Sequence, residues 1–110
     1  MTGTNDARAV VLHVSDSPAD LGRAVDNARL VAERFPGTSV RVIINGAALE
    51  GLSTPQGIAV PDGVEVAACG IGLGRRGIDA ASLPAGVEVV PAAVPAIVAA
   101  QLDGAVYVRI

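Results

Sequence analysis

Aromatic residues are scarce in this chain of 110 residues: one Phe, one Tyr and no Trp, or 2% of the whole. Lysine is absent, so all eight basic residues are arginine, set against eleven acidic residues for a net charge of -3. No basic run is longer than Arg75-Arg76, which leaves no electrostatic footprint for a phosphate backbone and disfavours nucleic-acid binding. A single cysteine cannot close an internal disulfide, so Cys69 reads as a free thiol in a reducing compartment, kept either for packing or for chemistry. Long apolar runs are missing as well. Residues 1–8 are polar, and the apolar stretch that follows, 9–14, falls far short of the roughly 20 residues that span a bilayer and is closed by Ser15 and Asp16. Neither a targeting nor a membrane segment is expected, and the default location is the cytoplasm.

What is present is aliphatic. Hydrophobic residues make up 51% of the chain and charged residues 17%, enough apolar surface to offset the entropy of ordering and to exclude intrinsic disorder. The length suits one compact domain. Residues 7–14 (ARAVVLHV), 39–44 (SVRVII), 64–69 (VEVAAC), 87–90 (VEVV) and 105–110 (AVYVRI) are short, β-branched runs of strand length. Between the first two, Ser15-Asp16-Ser17-Pro18 supplies a turn and a helix start, where a Ser or Asp, Asp16 foremost, can accept from the orphan amides and Pro18 fits the first turn, where its missing N–H costs nothing. A helix over about 18–34 follows. Leu21, Val25, Ala28 and Ala32 recur on one side, flanked by Leu30 and Val31, and Phe35-Pro36-Gly37 stops it. Residues 46–52 allow only a short helix, 53–62 with Pro55, Gly57 and Pro61 read as a loop, 70–77 are glycine-rich, and 94–102 form a short helix ended by Asp103-Gly104. Strands alternating with helices predict an α/β fold, a three-layer sandwich around a mostly parallel five-stranded sheet of flavodoxin-like or Rossmann-like kind.

In such a fold, ligands gather beyond the carboxyl ends of the strands. Three segments qualify: 13–17, 45–49 and 69–77. Cys69 ends its strand and is followed by Gly70, Gly72, Gly74, Arg75 and Arg76. Backbone amides at a helix or loop N-terminus and nearby cations are the surroundings in which a thiolate becomes a nucleophile, and a buried packing role remains the bland alternative. Residues 72–77 spell Gly-x-Gly-x-x-Gly after a strand, but the long helix and the distal acidic residue of a dinucleotide site are poorly met, since Pro84 and Gly86 interrupt the pattern and Glu88 lies inside a strand. The plainer reading is a tight loop that needs unusual backbone angles. His13, with Ser15 and Asp16 nearby, reads as a structural histidine rather than a hydrolase base, because no Gly-x-Ser-x-Gly elbow occurs. One His and one Cys without partners at ligand spacing make no metal site. Asn45-Gly46 is either a turn or a pair whose amide faces the same rim as Cys69.

The order of landmarks carries a resemblance. VVLHVSD, DNARLVAE, VRVIINGAAL, VEVAACGIGLGRRGID, VEVVPAAVPAIVAAQLDG and the closing YVRI together resemble the DsrE/DsrF-like family, which includes the TusD-type sulfur-relay proteins. The likeness runs from Ala9 to Ile110, one domain over residues 1–110. Asn45-Gly46, Cys69 with its glycine-containing sequel ending Arg76-Gly77-Ile78, and the Val-Pro approach to the last helix are its most specific parts.

The resemblance implies a Rossmann-like domain assembled as a trimer or hexamer. Its cysteine, at the Cys69 position, accepts sulfane sulfur from a donor protein as a persulfide and passes it to an acceptor, with no cofactor. Cys69 is then nucleophile and carrier, the amides of residues 70–74 stabilise its sulfur, and Arg75 or Arg76 adds positive field. Ile71-Gly72 stand where many relatives carry Asn-Ser or Asn-Thr, which removes a polar partner of the sulfur at that place. Association has separate support: an apolar chain with 13 Gly and short helices leaves parts of a sheet thinly covered. The rival expectation is an oligomeric binding protein for a small ligand or partner, with Cys69 as packing alone.

Overall fold

A computed structural model describes residues 8–54 and 57–110. Ala7, where the first strand was expected to start, and Pro55 of the long loop lie outside the described residues. Five strands form one sheet: β1 (Arg8–Val14), β2 (Thr38–Ile44), β3 (Val64–Cys69), β4 (Val87–Val90) and β5 (Val106–Arg109), in the order β4-β3-β2-β1-β5. Every pairing is parallel, so the expectation of a mostly parallel sheet tightens to an entirely parallel one. Each connection is a crossover, because parallel neighbours cannot be joined by a hairpin.

The central strand shows why the apolar runs are continuous. Val42, Ile43 and Ile44 of β2 are all fully buried, although successive side chains leave a strand on opposite faces, so both faces are covered. Burying each such side chain contributes about 2 kcal/mol. On one face lies α1 (Leu21–Arg34), which buries Leu21, Ala24, Val25 and Ala28, a stripe at three- and four-residue steps. Leu30, expected to flank that stripe, is exposed. On the other lies α3 (Ala93–Leu102), anchored by buried Ala93 and Ile97.

Helix starts and stops follow local chemistry, with two differences from expectation. A 3-10 turn over Pro18–Asp20 precedes α1, and its cap is Ser17, whose hydroxyl accepts the Ala19 N–H at 3.2 Å. Asp16 instead pairs with Arg109 at 2.5 Å, because the parallel β1–β5 register sets His13 beside Arg109 and so carries that guanidinium to the end of β1. The glycine-rich segment is not a loop with unusual angles: residues 70–76 form α2 (Gly70–Arg76), and only the capping Gly77, at φ 66°, is left-handed. Buried Leu73 anchors this helix, and tertiary packing there overrides the poor helix propensity of glycine. Among the described residues, no helix is long and apolar enough to cross a membrane.

Candidate functional site

The register of the sheet brings the candidate residues together. Val14 pairs with Ile44, and Ile44 with Ala68, so Asn45 and Cys69 each follow directly on neighbouring strands at the carboxyl rim. Alternation then places His13, Ile43 and Cys69 on the face that carries α3. Asn45, Gly46, Cys69, Gly72, Arg75 and Arg76 line one pocket of about 480 Å³, with Ile71 completing its wall. Of the other sequence candidates, His13 reaches this pocket only through Asn45, while Gly70 and Gly74 are outside its lining.

Cys69 is 8% exposed. Its Sγ accepts the backbone N–H of Ala93, the first residue of α3, at 3.4 Å. This corrects the expectation for the glycine amides: among the described residues, no N–H of residues 70–74 donates to the sulfur. Cys69 is itself the cap residue of α2 and makes no side-chain capping bond to it, because its side chain turns toward the start of α3. The glycines of α2 serve close approach. A Cβ on Gly70 would lie 3.0 Å from the Val90 carbonyl oxygen, and one on Gly72 would lie 2.5 Å from Leu49 Cδ1 and 3.8 Å from Cys69 Sγ. Gly72 thus leaves the sulfur open toward the pocket, where a larger residue would close over it. Gly46 is left-handed at φ 59° with its Cα against the Ser15 carbonyl, which fixes the turn that follows Asn45.

The two arginines differ. Arg76 is bound to Glu50 at 2.8 Å, whereas Arg75 has no ion-pair partner among the described residues and lines the pocket with its charge uncommitted. No carboxylate lines the pocket.

His13 forms a chain that the sequence reading did not contain. Its Nε2 lies 2.9 Å from Asn45 Oδ1 and its Nδ1 lies 2.7 Å from the Tyr107 hydroxyl. Because an amide oxygen only accepts, Nε2 is the protonated nitrogen, and in the neutral ring Nδ1 accepts the tyrosine O–H. His13 is therefore hydrogen-bonded at both nitrogens, and among the described residues no serine or threonine hydroxyl lies on it. Ser15 and Asp16 are held instead by Arg109. The signal for Tyr107 was its position as the one aromatic residue of the last strand, and the signal for Ala93 was nil, since any non-proline residue supplies a backbone N–H. No group of three or more potential metal ligands occurs among the described residues.

No protein-family model matches the chain, and no curated protein matches it in sequence. Two solved structures are similar along nearly its whole length. One is a protein of unknown function, MTH1491, from Methanobacterium thermoautotrophicum, with a TM-score of 0.77 and 23% identity, covering 96% of this chain and 100% of that one. The other is the ychN protein from E. coli, with a TM-score of 0.69 and 15% identity, again over 96% of this chain and 100% of that one. At these identities the likeness establishes the α/β fold.

Proposed function

We propose that the protein is a DsrE-like intracellular sulfur-relay or sulfur-carrier protein that accepts and transfers sulfane sulfur as a persulfide on Cys69. The observation that carries the reading is the place of the thiol. It ends a central strand of a parallel sheet and opens into a pocket walled by Asn45, Arg75 and Arg76, where a sealed core position would have been lined by apolar side chains alone. In the accepting step, the Cys69 thiolate attacks the outer sulfur of a donor persulfide, R–S–SH. The Sγ–S bond forms, the donor S–S bond breaks, and its electron pair leaves with the donor as R–S⁻, the proton staying with the transferred sulfur. Delivery reverses this on an acceptor thiolate and returns Cys69 to its starting state, so no external oxidant, reductant or cofactor enters. The Ala93 N–H faces the sulfur that is attacking or leaving, and the guanidinium of Arg75 supplies positive field to the charge that moves along the S–S axis.

The expected partners are a sulfur donor protein, an acceptor protein and further copies of this chain in a cytoplasmic trimer or hexamer. Exposed apolar residues support assembly: Val106 and Val108 on the edge strand β5, Phe35 beyond α1, and Val94, Val98 and Leu102 along one side of α3. Light scattering on the purified protein should give the mass of a trimer or a hexamer, and a monomer at micromolar concentration removes this part of the reading. A second reading, a binding protein in which Cys69 only packs, draws on the burial of that residue and on its sulfur already accepting a hydrogen bond. Cyanolysis separates the two. Protein treated with a low-molecular-weight persulfide and desalted should release close to one thiocyanate per chain, and Cys69→Ser should release none. Equal release from both would assign any bound sulfur to something other than this thiol.

A further inference from the structure

The hydrogen bonds of His13 fix more than its own ring. Asn45 has one acceptor atom and one donor group on its side chain. Oδ1 is engaged by His13 Nε2–H, and the tautomer that makes this possible is the one in which Nδ1 accepts from Tyr107. The amide is thereby left with Nδ2, which has no acceptor among the described residues, on a residue that lines the Cys69 pocket. The other charged or polar side chains in that lining are Arg75 and Arg76, both donors only. Every polar side chain around the opening is thus presented as a donor.

We infer that His13 is a positioning residue that locks the Asn45 amide with its NH₂ toward the pocket that Cys69 also lines, and that the pocket so formed selects co-substrates carrying negative charge beside the atom that meets the sulfur. The inference rests on the proposed function for its biological meaning, where the selected charge is an anionic group, such as a carboxylate, that the donor persulfide R–S–SH carries near its outer sulfur. Its geometry stands apart from that reading. With the amide reversed, Oδ1 would face the incoming anion and oppose it, so the orientation set by His13 decides the sign of the interaction. Protonation of His13 leaves the lock in place, since Nε2 donates to Oδ1 in both states and only the Tyr107 hydroxyl must turn to accept.

Charge selection is read by alkylating Cys69 in the folded protein with two reagents of similar size, anionic iodoacetate and neutral iodoacetamide. In each reaction the thiolate attacks the CH₂ carbon and iodide leaves. The ratio of the two rates cancels the thiolate fraction and any shared change in access, so a merely structural role does not move it. Asn45→Asp keeps the shape, and one carboxylate oxygen can still accept from His13, but the pocket donor becomes an acceptor with a negative charge. It should lower the iodoacetate-to-iodoacetamide ratio about tenfold. His13→Leu frees the amide and should lower the ratio roughly twofold, and His13→Gln, which keeps a donor toward Oδ1, should restore it.

An unchanged or increased ratio in Asn45→Asp overturns the inference even if His13→Leu does not fold, and failure of either reagent to reach Cys69 in the native protein overturns it together with the proposed function. Persulfide loading of the wild type, measured separately, tells the two apart. Normal loading with an unmoved ratio removes the positioning role alone, and absent loading with the expected ratios removes the sulfur relay and leaves charge selection standing.

Discussion

Gly46→Ala is a perturbation whose cost can be worked from the structure. Gly46 sits at φ 59°, a left-handed conformation that costs an L-residue about 1–2 kcal/mol. An alanine methyl would also lie 2.8 Å from the Ser15 carbonyl oxygen. That oxygen cannot swing aside cheaply, because it accepts the Ala48 N–H at 3.1 Å and so ties the end of β1 to the turn after β2. Overpacking of this kind costs about 1–3 kcal/mol, against a gain of about 0.4–1 kcal/mol from the stiffer unfolded chain. The net loss should be about 2–4 kcal/mol, or about 8–16 °C in Tm for a chain of this size.

Gly74→Ala is the matched control. Gly74 lies in α2 with no atom within 4 Å of an added Cβ and without a positive φ, so the change should gain about 0.5–1 kcal/mol through helix propensity. Thermal and urea unfolding by circular dichroism at one fixed chain concentration reads both. Opposite signs support the account of these two glycines. A Gly46→Ala protein as stable as the wild type, or a Gly74→Ala protein equally destabilised, would refute it.

Other outcomes follow from the same geometry. Ser17→Ala should lose about 1 kcal/mol with the cap of the first helical turn, while Asp16→Asn, which weakens only an exposed ion pair, should change stability by less than about 1 kcal/mol; a larger effect at Asp16 in chemical denaturation would restore it as the cap. Gly72→Ala should be destabilising by about 1–2 kcal/mol, because the methyl meets Leu49, which is fully buried, and this outweighs the helix propensity gained. Cys69→Ala should cost about 1–2 kcal/mol by leaving the Ala93 N–H without its sulfur acceptor, and Cys69→Ser, which keeps an acceptor there, should cost less. Matched urea titrations of the two Cys69 variants test that order.

The strands were legible because a sheet covered on both faces demands unbroken aliphatic runs, and Val40, Val42, Ile43 and Ile44 satisfy that demand without help from distant residues. The neighbourhood of Asn45 and Cys69 was legible too, since parallel strands end side by side. The glycine segment was misread for a physical reason. Gly70 and Gly72 are small because Val90, Leu49 and the sulfur crowd them, and close approach leaves the same mark on a sequence as backbone freedom does. Ala93 and Tyr107 escaped because one contributes a backbone N–H that any side chain could accompany, and the other meets His13 only after β5 has returned to the far side of β1. The capping of the first turn was split between Ser17 and Asp16 by a long-range partner, Arg109, that local pattern does not reveal.

The most direct test of the central claim is the intact mass of the folded protein after incubation with a low-molecular-weight persulfide, with Cys69→Ser as the blank. The account predicts a gain of one sulfur atom on the wild type, none on the variant, and loss of that sulfur when an acceptor thiol is added. A wild-type mass that does not change while iodoacetamide still alkylates Cys69 would contradict it, since the thiol would then be reachable and yet carry no sulfur.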